Sequence, residues 1–182
     1  MLPLRKIAPA LVLLFVTWNG WAAGDGVGPP LAHIPSLRGT TFAGTLVVLP
    51  EALKGKVGVL VMGFSRSSQD SARAWGKRLA ERYPAGSGVV YYEMPVVAGV
   101  PSLLREWVLG RIRQSVSVSA REHFLPIFDH EAEWKQATHE VSGKEVTVLV
   151  VDSLGGVRWR HQGTLSETAF CELEQQIVKL QR

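Results

Sequence analysis

The sequence predicts one α/β domain in which a central mixed β-sheet is flanked by helices. Apolar, β-branched runs of strand length alternate with helical stretches that have one apolar face. Near the C-terminus, an Asp-Ser-Leu-Gly-Gly turn joins two strand candidates, which predicts a hairpin. The composition, 46% hydrophobic and 20% charged residues, is that of a globular chain with a packed core.

The N-terminus resembles an export signal. Two basic residues precede an apolar run at residues 7–16, and small residues follow it. We therefore expect residues 1–23 to be a signal peptide or an N-terminal anchor. Residues 24–36 are rich in Gly and Pro and predict an irregular arm before a domain at residues 37–182. The protein is thus expected to be exported, and to be periplasmic or anchored in a membrane facing the periplasm.

The first half of the domain predicts two strands followed by a helix. Residues 45–49 form a short strand candidate. Residues 57–64 are almost continuously apolar, which is typical of a central strand buried on both faces. Ser67 and Asp70 then resemble a capping box, so Ser67 or Ser68 is expected to cap the helix that follows. The apolar face of this helix comprises Ala72, Trp75, Leu79 and Tyr83.

The middle of the domain predicts a strand and two helices. Residues 89–94 form the next strand, and Pro101 opens a helix. Asp129 is expected to cap a third helix, in which Glu131 and Glu133 suit the positive N-terminal end. The predicted core stripe of the helix after Pro101 comprises Leu104, Trp107, Val108 and Ile112.

The last part of the domain predicts a hairpin and a helix. Residues 146–151 form a third apolar strand, residues 152–156 form the turn, and residues 157–161 form a short alternating strand. The last helix is expected to begin at Ser166. Its core stripe comprises Phe170, Leu173, Ile177 and Leu180.

Two segments carry a resemblance to a known family. The first is Leu49-Pro50-Glu51, then residues 53–56, then the apolar strand into Phe64. The second is residues 152–159, followed by His161, Gly163 and Ser166. Together they resemble the entry and the closing hairpin and helix of the thioredoxin-like superfamily. The strand candidate before the core is similar to the extra N-terminal elements of its peroxiredoxin and thiol-reductase branches.

A narrower resemblance concerns the ATP10 family of ATP-synthase assembly factors. It is carried by Gly63-Phe64-Ser65, by the helix that contains Trp75, and by Arg105-Glu106 in the middle helix. Proteins of that family have a degenerate thioredoxin-like domain without the redox pair. The resemblance implies an assembly role for this chain, at a membrane complex or at ATP synthase.

The sequence departs from the active redox pattern in two places. Its one cysteine is Cys171, and residues 68–71 read Ser-Gln-Asp-Ser where the resemblance would place a Cys-x-x-Cys pair. A serine hydroxyl is neither acidic nor polarisable enough to replace a thiolate in disulfide exchange. Such domains also place a cis-proline before the third core strand, whereas residues 141–145 contain no proline. We therefore expect a redox-inactive domain with no catalytic residue.

The polar loop after the central strand is the candidate binding site. It faces the loop at residues 141–145 in the expected fold, and we expect a protein partner there. The loop resembles a strand-to-helix nucleophile elbow but lacks its second Gly, which argues against serine catalysis. The candidate binding residues are Ser65, Arg66, Ser67, Ser68, Asp70 and Ser71.

The alternative function is a one-cysteine thiol oxidoreductase or peroxidase that uses Cys171 with an external thiol. Cys171 lies five residues after Ser166 and off the predicted core stripe of the last helix, at its edge or exposed. A reactive thiol is favoured in the first turn of a helix beside a cation, and Cys171 lies past that turn. The other interpretation is therefore that Cys171 is a packed or unreactive thiol.

Other functional classes find little support in the sequence. The net charge is +4, of which Arg5 and Lys6 contribute two, and no basic stripe with interleaved aromatics suggests nucleic-acid binding. His123, His130 and His139 are spaced by seven and nine residues, which fits no compact metal motif. We therefore expect no metal and no cofactor.

Overall fold

The computed structural model describes residues 32–97, 99–140 and 142–182. The predicted signal or anchor at residues 1–23 lies outside the described residues, as does Val141 of the predicted facing loop. The described strands are β1 (Ala32–His33), β2 (Leu37–Thr40), β3 (Leu46–Leu49), β4 (Val57–Gly63), β5 (Val89–Pro95), β6 (Val146–Val151) and β7 (Gly156–Gln162). The described helices are α1 (Gln69–Arg82), α2 (Ser102–Ser115), α3 (Glu131–Thr138) and α4 (Glu167–Leu180).

The main sheet has five strands in the order β1-β7-β6-β4-β5, and it is mixed. β4 pairs in parallel with β5, while the β4–β6, β6–β7 and β1–β7 pairs are antiparallel. A separate two-stranded antiparallel sheet consists of β2 and β3. The predicted α/β class, with a mixed central sheet, flanking helices and extra N-terminal strands, is confirmed.

Both faces of the sheet are covered, which explains the continuous apolar sequence of β4. Successive side chains of a strand point to opposite faces, so Val59 and Val61 enter one core while Leu60 and Met62 enter the other. The first core is closed by α1 and α4, through buried residues that include Trp75, Leu79, Phe170, Leu173 and Ile177. The second is closed by β3, α3 and residues 124–127, through residues that include Leu49, Leu125, Ile127 and Trp134.

Helix α1 lies close against β5 because Gly76 has no side chain. A Cβ atom at Gly76 would clash with the carboxyl group of Glu93, so a side chain at this position would have to displace this half-buried group. Burial raises the pKa of Glu93 to about 7, and the positive charge of Arg73 opposes that rise. The Glu93 carboxyl is therefore a titratable group held between α1 and β5.

The predicted core stripe of α2 is wrong. No residue of α2 is buried: Leu104 is 52% exposed and Trp107 is 67% exposed, while Val108 and Ile112 are only half-buried. The reason is that residues 124–127 run beside β5, where the N–H of Leu125 donates to the carbonyl of Glu93. Their side chains, together with Trp134, fill the core on the face that α2 would otherwise cover.

The predicted cap of α3 is also wrong. His130, not Asp129, occupies the cap position, with a left-handed backbone (φ 61°) and no side-chain hydrogen bond to the helix N-terminus. Its ring Nδ1 lies 2.7 Å from Oε1 of Glu133, while the Asp129 carboxylate lies 3.8 Å from the guanidinium of Arg105. Asp129 is therefore turned toward α2. Glu131 and Glu133 lie in the first turn of α3, as predicted.

The chain joins the main sheet earlier than the predicted boundary at residue 37. Ala32 and His33 form β1, which pairs with β7, and the N–H of Ile34 donates to the carbonyl of Gly155 over 2.9 Å. Ile34 is buried, so the last part of the predicted arm, residues 32–36, packs on the domain. No helix in the described ranges combines the length and the apolar character that a membrane span requires.

Candidate functional site

The candidate loop connects the C-terminal end of β4 to α1. After Gly63, the chain is extended at Ser65 (φ −151°, ψ 170°), forms one 3₁₀ turn over Arg66–Ser68, and enters α1 at Gln69. Ser65, Arg66, Ser67 and Asp70 are exposed, Ser71 is half-buried and Ser68 is buried. The loop thus presents most of its predicted binding residues to solvent.

Ser68 occupies the N-cap position of α1, one of the two positions predicted, but its side chain does not bond to the helix N-terminus. Its hydroxyl donates to the carbonyl oxygen of Ser65 over 2.8 Å, and neither Ser68 nor Ser65 makes a side-chain cap hydrogen bond. The 3₁₀ turn brings the Ser65 carbonyl within reach, so the hydroxyl is used as a donor inside the loop. A Cβ atom at Gly63 would lie 2.8 Å from the Ser68 hydroxyl oxygen, so Gly63 makes room for this inward side chain.

The candidate loop contacts the loop before β6 directly. The hydroxyl of Ser67 donates to the carbonyl oxygen of Lys144 over 3.1 Å, and the hydroxyl oxygens of Ser65 and Ser67 are 2.8 Å apart. Gly143 has a left-handed backbone (φ 66°), and a Cβ atom there would lie 3.8 Å from Cβ of Phe64. The two loops that the sequence places opposite each other therefore form one continuous surface.

Glu140 holds the facing loop in shape. Its Oε1 accepts hydrogen bonds from the backbone N–H groups of Ser142 (2.9 Å) and Gly143 (2.6 Å). Its Oε2 accepts from the hydroxyl of Thr147 (3.0 Å) and from the amide of Gln162 (3.1 Å). Burial by itself raises the pKa of Glu140, but the hydrogen bonds from Gly143, Thr147 and Ser142 outweigh it and lower the pKa below its ordinary value.

Sequence reasoning missed this role of Glu140. The available signal was an acidic residue shortly before a Ser-Gly turn that leads into an apolar strand, because carboxylates often accept hydrogen bonds from turn N–H groups. The partners Thr147 and Gln162 come from β6 and β7, so only the folded hairpin brings them to the carboxylate.

The exposed charges of the candidate loop are Arg66 and Asp70. Arg66 makes no ion pair or side-chain hydrogen bond with any described residue. The Asp70 carboxylate lies 3.7 Å from the guanidinium of Arg73, but the Asp70 side chain is 99% exposed. Exposed ion pairs of this kind contribute little to stability, so both groups are free to meet a partner.

The loop lacks the machinery for serine catalysis. A catalytic serine needs a general base within hydrogen-bond reach of its hydroxyl. Among the described residues, the hydroxyls of Ser65, Ser67 and Ser68 bond only to each other or to backbone carbonyls, with no His or carboxylate partner. The exposed groups of the loop can therefore form hydrogen bonds and ion pairs with a partner.

Cys171 is exposed on α4, past the first helical turn. Ser166 caps that helix, as predicted, by accepting a hydrogen bond from the N–H of Ala169 over 3.1 Å. The predicted stripe of Phe170, Leu173 and Ile177 is buried, so Cys171 lies on the outer side of α4. As the one cysteine of the chain, it has no disulfide partner within it.

Of the three histidines considered for metal binding, His123 and His130 make other side-chain contacts. The ring of His123 stacks on Tyr91 with centroids 3.9 Å apart, and its Nδ1 lies 3.0 Å from the Tyr91 carbonyl oxygen. His130 contacts Glu133, and His139 has a left-handed backbone at the end of α3. In the part of the chain that the structure describes, no group of three or more His, Cys, Asp or Glu residues is placed to hold a metal ion.

Comparisons with known proteins find similar folds among solved structures. No protein-family model and no curated protein sequence matches the chain. A candidate DsbE thiol:disulfide interchange protein from Chlorobium tepidum has a TM-score of 0.58 and 18% identity, covering 86% of this chain and 99% of that one. BsSco, a member of the Sco family of cytochrome c oxidase assembly proteins, has a TM-score of 0.56 and 14% identity, covering 84% and 98%. A SCO1/SenC family lipoprotein from Bacillus anthracis has a TM-score of 0.56 and 15% identity, covering 86% and 99%.

Proposed function

We propose that this chain, which has the thioredoxin-like fold without its paired cysteines, is a redox-inactive binding or assembly factor. Its protein partner would bind the surface formed by residues 65–71 and the facing residues 142–145, called here the joined-loop surface. The observation that carries the proposal is the hydrogen bond from Ser67 to Lys144, at the place where the sequence resemblance would put a redox pair. A polar surface closed in this way suits recognition and has no group for exchange chemistry.

The rigidity of the joined-loop surface supports a binding role. Ser68 fixes the turn from inside, and Glu140 fixes the facing loop by accepting five hydrogen bonds from four residues. A surface that is already ordered loses little conformational entropy when it binds. The exposed side chains of Arg66 and Asp70 add opposite charges, which favour one orientation of a partner over others.

We further propose that the protein is exported and acts at or near a membrane, in the assembly of a membrane complex such as ATP synthase. The export signal and the ATP10 resemblance of the sequence support this, and so does the fold shared with an Sco assembly protein and a SCO1/SenC lipoprotein. Those two descriptions belong to those proteins. For this chain, fractionation of cells into envelope and soluble fractions tests the location.

Charge reversal tests the binding surface. The double variant Arg66→Glu/Asp70→Lys keeps the net charge but inverts the charge pattern of the joined-loop surface. The control variant Lys77→Glu/Glu81→Lys also inverts a pair of charges without changing the net charge, but at exposed positions further along α1. We expect co-purification of the envelope partner to be lost with the first variant and retained with the second. Equal capture by both variants would contradict the proposed location.

A one-cysteine thiol oxidoreductase or peroxidase remains the second candidate, because Cys171 is exposed. An enzyme of that kind depends entirely on its thiolate. Cys171→Ser would therefore abolish any peroxidase or disulfide-exchange activity of the protein. Partner binding through the joined-loop surface would be unchanged by the same substitution, so the two functions are separable.

A further inference from the structure

A groove of about 720 Å³ separates β2 from α2, away from the joined-loop surface. One wall consists of residues 36–42, which include β2. The other wall is α2, with Glu106, Leu109, Gly110 and Arg113, and Pro126 and Phe128 also line the groove. The groove plays no part in the function proposed above.

One edge of β2 is unpaired along this groove. The N–H of Thr41 donates to the carbonyl of Thr45 over 2.9 Å, which makes this the first hydrogen-bonded pair of the β2–β3 hairpin. Hydrogen-bonded and non-hydrogen-bonded pairs alternate in an antiparallel ladder, so Gly39 bonds to β3 while Arg38 and Thr40 direct their N–H and C=O groups away from it. Neither backbone N–H has a partner elsewhere in the described part of the chain.

The neighbouring segment does not close this edge. The N–H of Phe42 donates to the carbonyl of Phe124, but beyond that point the two segments separate. Leu125 and Ile127 donate their N–H groups to β5 instead, and Pro126 has no N–H to offer β2. The groove therefore opens beside a strand edge whose donors and acceptors stay available.

We propose that this groove binds an extended segment of a partner protein, which pairs with β2 as a third strand of the β2–β3 sheet. An extended polypeptide presents donors and acceptors that alternate with the same spacing as a strand edge. A lipid headgroup or the apolar face of a helix offers no such row. The unpaired backbone groups of Arg38 and Thr40 thus select the chemical class of the ligand.

The charged residues of the groove indicate which charges the bound segment should carry. Arg38 is exposed and has no acidic partner among the described residues. Asp129 is already close to Arg105, and the guanidinium of Arg113 is bonded to the carbonyl of Phe42. The cation of Arg38 on one wall and the exposed carboxylate of Glu106 on the other therefore favour a segment that places an acidic side chain beside Arg38 and a basic one beside Glu106.

Gly110 provides a direct way to block the groove. It lines the α2 wall, and a Cβ atom there would meet no heavy atom within 4 Å. A side chain at this position therefore projects into open space and leaves the packing of the domain unchanged. Gly110→Trp should fill the groove, and Gly110→Ala is its matched control.

Thr40 offers an independent test of backbone pairing. Thr40→Pro removes the N–H that faces the groove and spares the hydrogen bonds to β3, whereas Thr40→Ala keeps that N–H. The probe is a displayed library of short random peptides selected on the full domain, with the affinity of enriched peptides then measured by fluorescence anisotropy. Thermal unfolding of each variant confirms that it is folded.

We expect the enriched peptides to carry an acidic residue. Their affinity should fall about tenfold or more for Thr40→Pro, because a backbone hydrogen bond is lost, and for Gly110→Trp, because the groove is filled. The Ala variants should bind within about twofold of the original domain. If Thr40→Pro does not fold, the affinity of the peptides for Gly110→Trp tests the proposal by itself.

Three outcomes would overturn the proposal. These are no enrichment over an unrelated protein, peptides that bind both blocking variants normally, and a homodimer that uses the β2 edge in place of peptide. The variant Arg66→Glu/Asp70→Lys should leave peptide binding unchanged. Failure at the groove and failure at the joined-loop surface are therefore distinguishable.

Discussion

The hydroxyl of Ser67 donates a hydrogen bond to the carbonyl oxygen of Lys144, 77 residues away in the chain, over 3.1 Å. This contact joins the end of the central strand to the loop before β6. Both loops are polar, and the facing loop is fixed from inside by Glu140. The relationship gives the candidate site a defined shape and leads to the first two predictions.

Ser67→Ala should loosen the joined-loop surface at small cost to global stability. The lost hydrogen bond is exposed, so we expect the free energy of unfolding to fall by about 1 kcal/mol or less. Amide hydrogen exchange in residues 142–145 should become faster, because this loop loses its hydrogen bond to the 3₁₀ turn that precedes α1. Ser71→Ala removes a hydroxyl for which the structure shows no side-chain hydrogen bond and is the control. Equal acceleration by both variants would contradict the account.

Glu140→Gln should destabilise the domain more strongly. An amide keeps one acceptor oxygen but places an NH₂ group against donors that the carboxylate satisfied, and a buried donor left without its acceptor costs about 1–3 kcal/mol. Urea unfolding measures this loss. Glu145→Gln, at an exposed position of the same loop, should change the free energy of unfolding by less than about 0.5 kcal/mol.

The pKa of Glu140 also predicts how stability depends on pH in acid. Because the folded-state pKa lies below the ordinary value of 4.5, the carboxylate stabilises the fold above that pH. That contribution is lost as the pH falls below 4.5, through the folded-state pKa. Glu140→Gln should therefore show a weaker loss of stability in this range than the original domain.

Glu93 predicts the opposite slope near neutrality. Its folded-state pKa is about 7 and its ordinary value is 4.5, so the folded protein retains a proton that the unfolded chain releases. Below pH 4.5 Glu93 is protonated in both states and the fold has its full stability. As the pH rises from 4.5 to 7, the free energy of unfolding falls by about 1.4 kcal/mol per pH unit, which is about 3 kcal/mol in total. Glu93→Gln should remove this slope and be more stable than the original domain at pH 8. Glu81→Gln, exposed on α1, should keep the slope.

Trp107 and Trp134 should differ sharply in their contribution to stability. Trp134 is fully buried in the second core, and Trp134→Ala should cost about 3–5 kcal/mol. Trp107 is 67% exposed, and Trp107→Ala should cost less than about 0.5 kcal/mol. Thermal unfolding of the two variants checks this, and similar losses would show that α2 packs on the core.

The parts of the fold that the sequence predicts well are those in which one segment carries its own signal. The continuous apolar run of β4 indicates burial on both faces, and the stripe of α4 with its Ser166 cap marks both the buried face and the first turn. In α1, the predicted apolar face contains Trp75 and Leu79, which are fully buried. These signals are local, so they need no knowledge of the neighbouring elements.

The errors arise where several segments compete for the same place. An apolar stripe on α2 indicates a helix with an apolar side, but the stripe does not reveal that residues 124–127 and Trp134 already fill the core beneath. Ser68 resembles a cap, yet the 3₁₀ turn offers its hydroxyl a closer acceptor in Ser65. Glu140 has partners on β6 and β7 that only the folded hairpin assembles.

The reactivity of Cys171 in the folded domain decides whether the domain is redox-inactive, as proposed. The measurement is the rate at which its thiol reacts with hydrogen peroxide and with a small disulfide, with Cys171→Ser as the blank. In a redox-inactive domain, these rates should be close to those of an unperturbed cysteine in a short peptide. Rates several orders of magnitude faster would contradict the proposal, because only an environment built to stabilise a thiolate produces them.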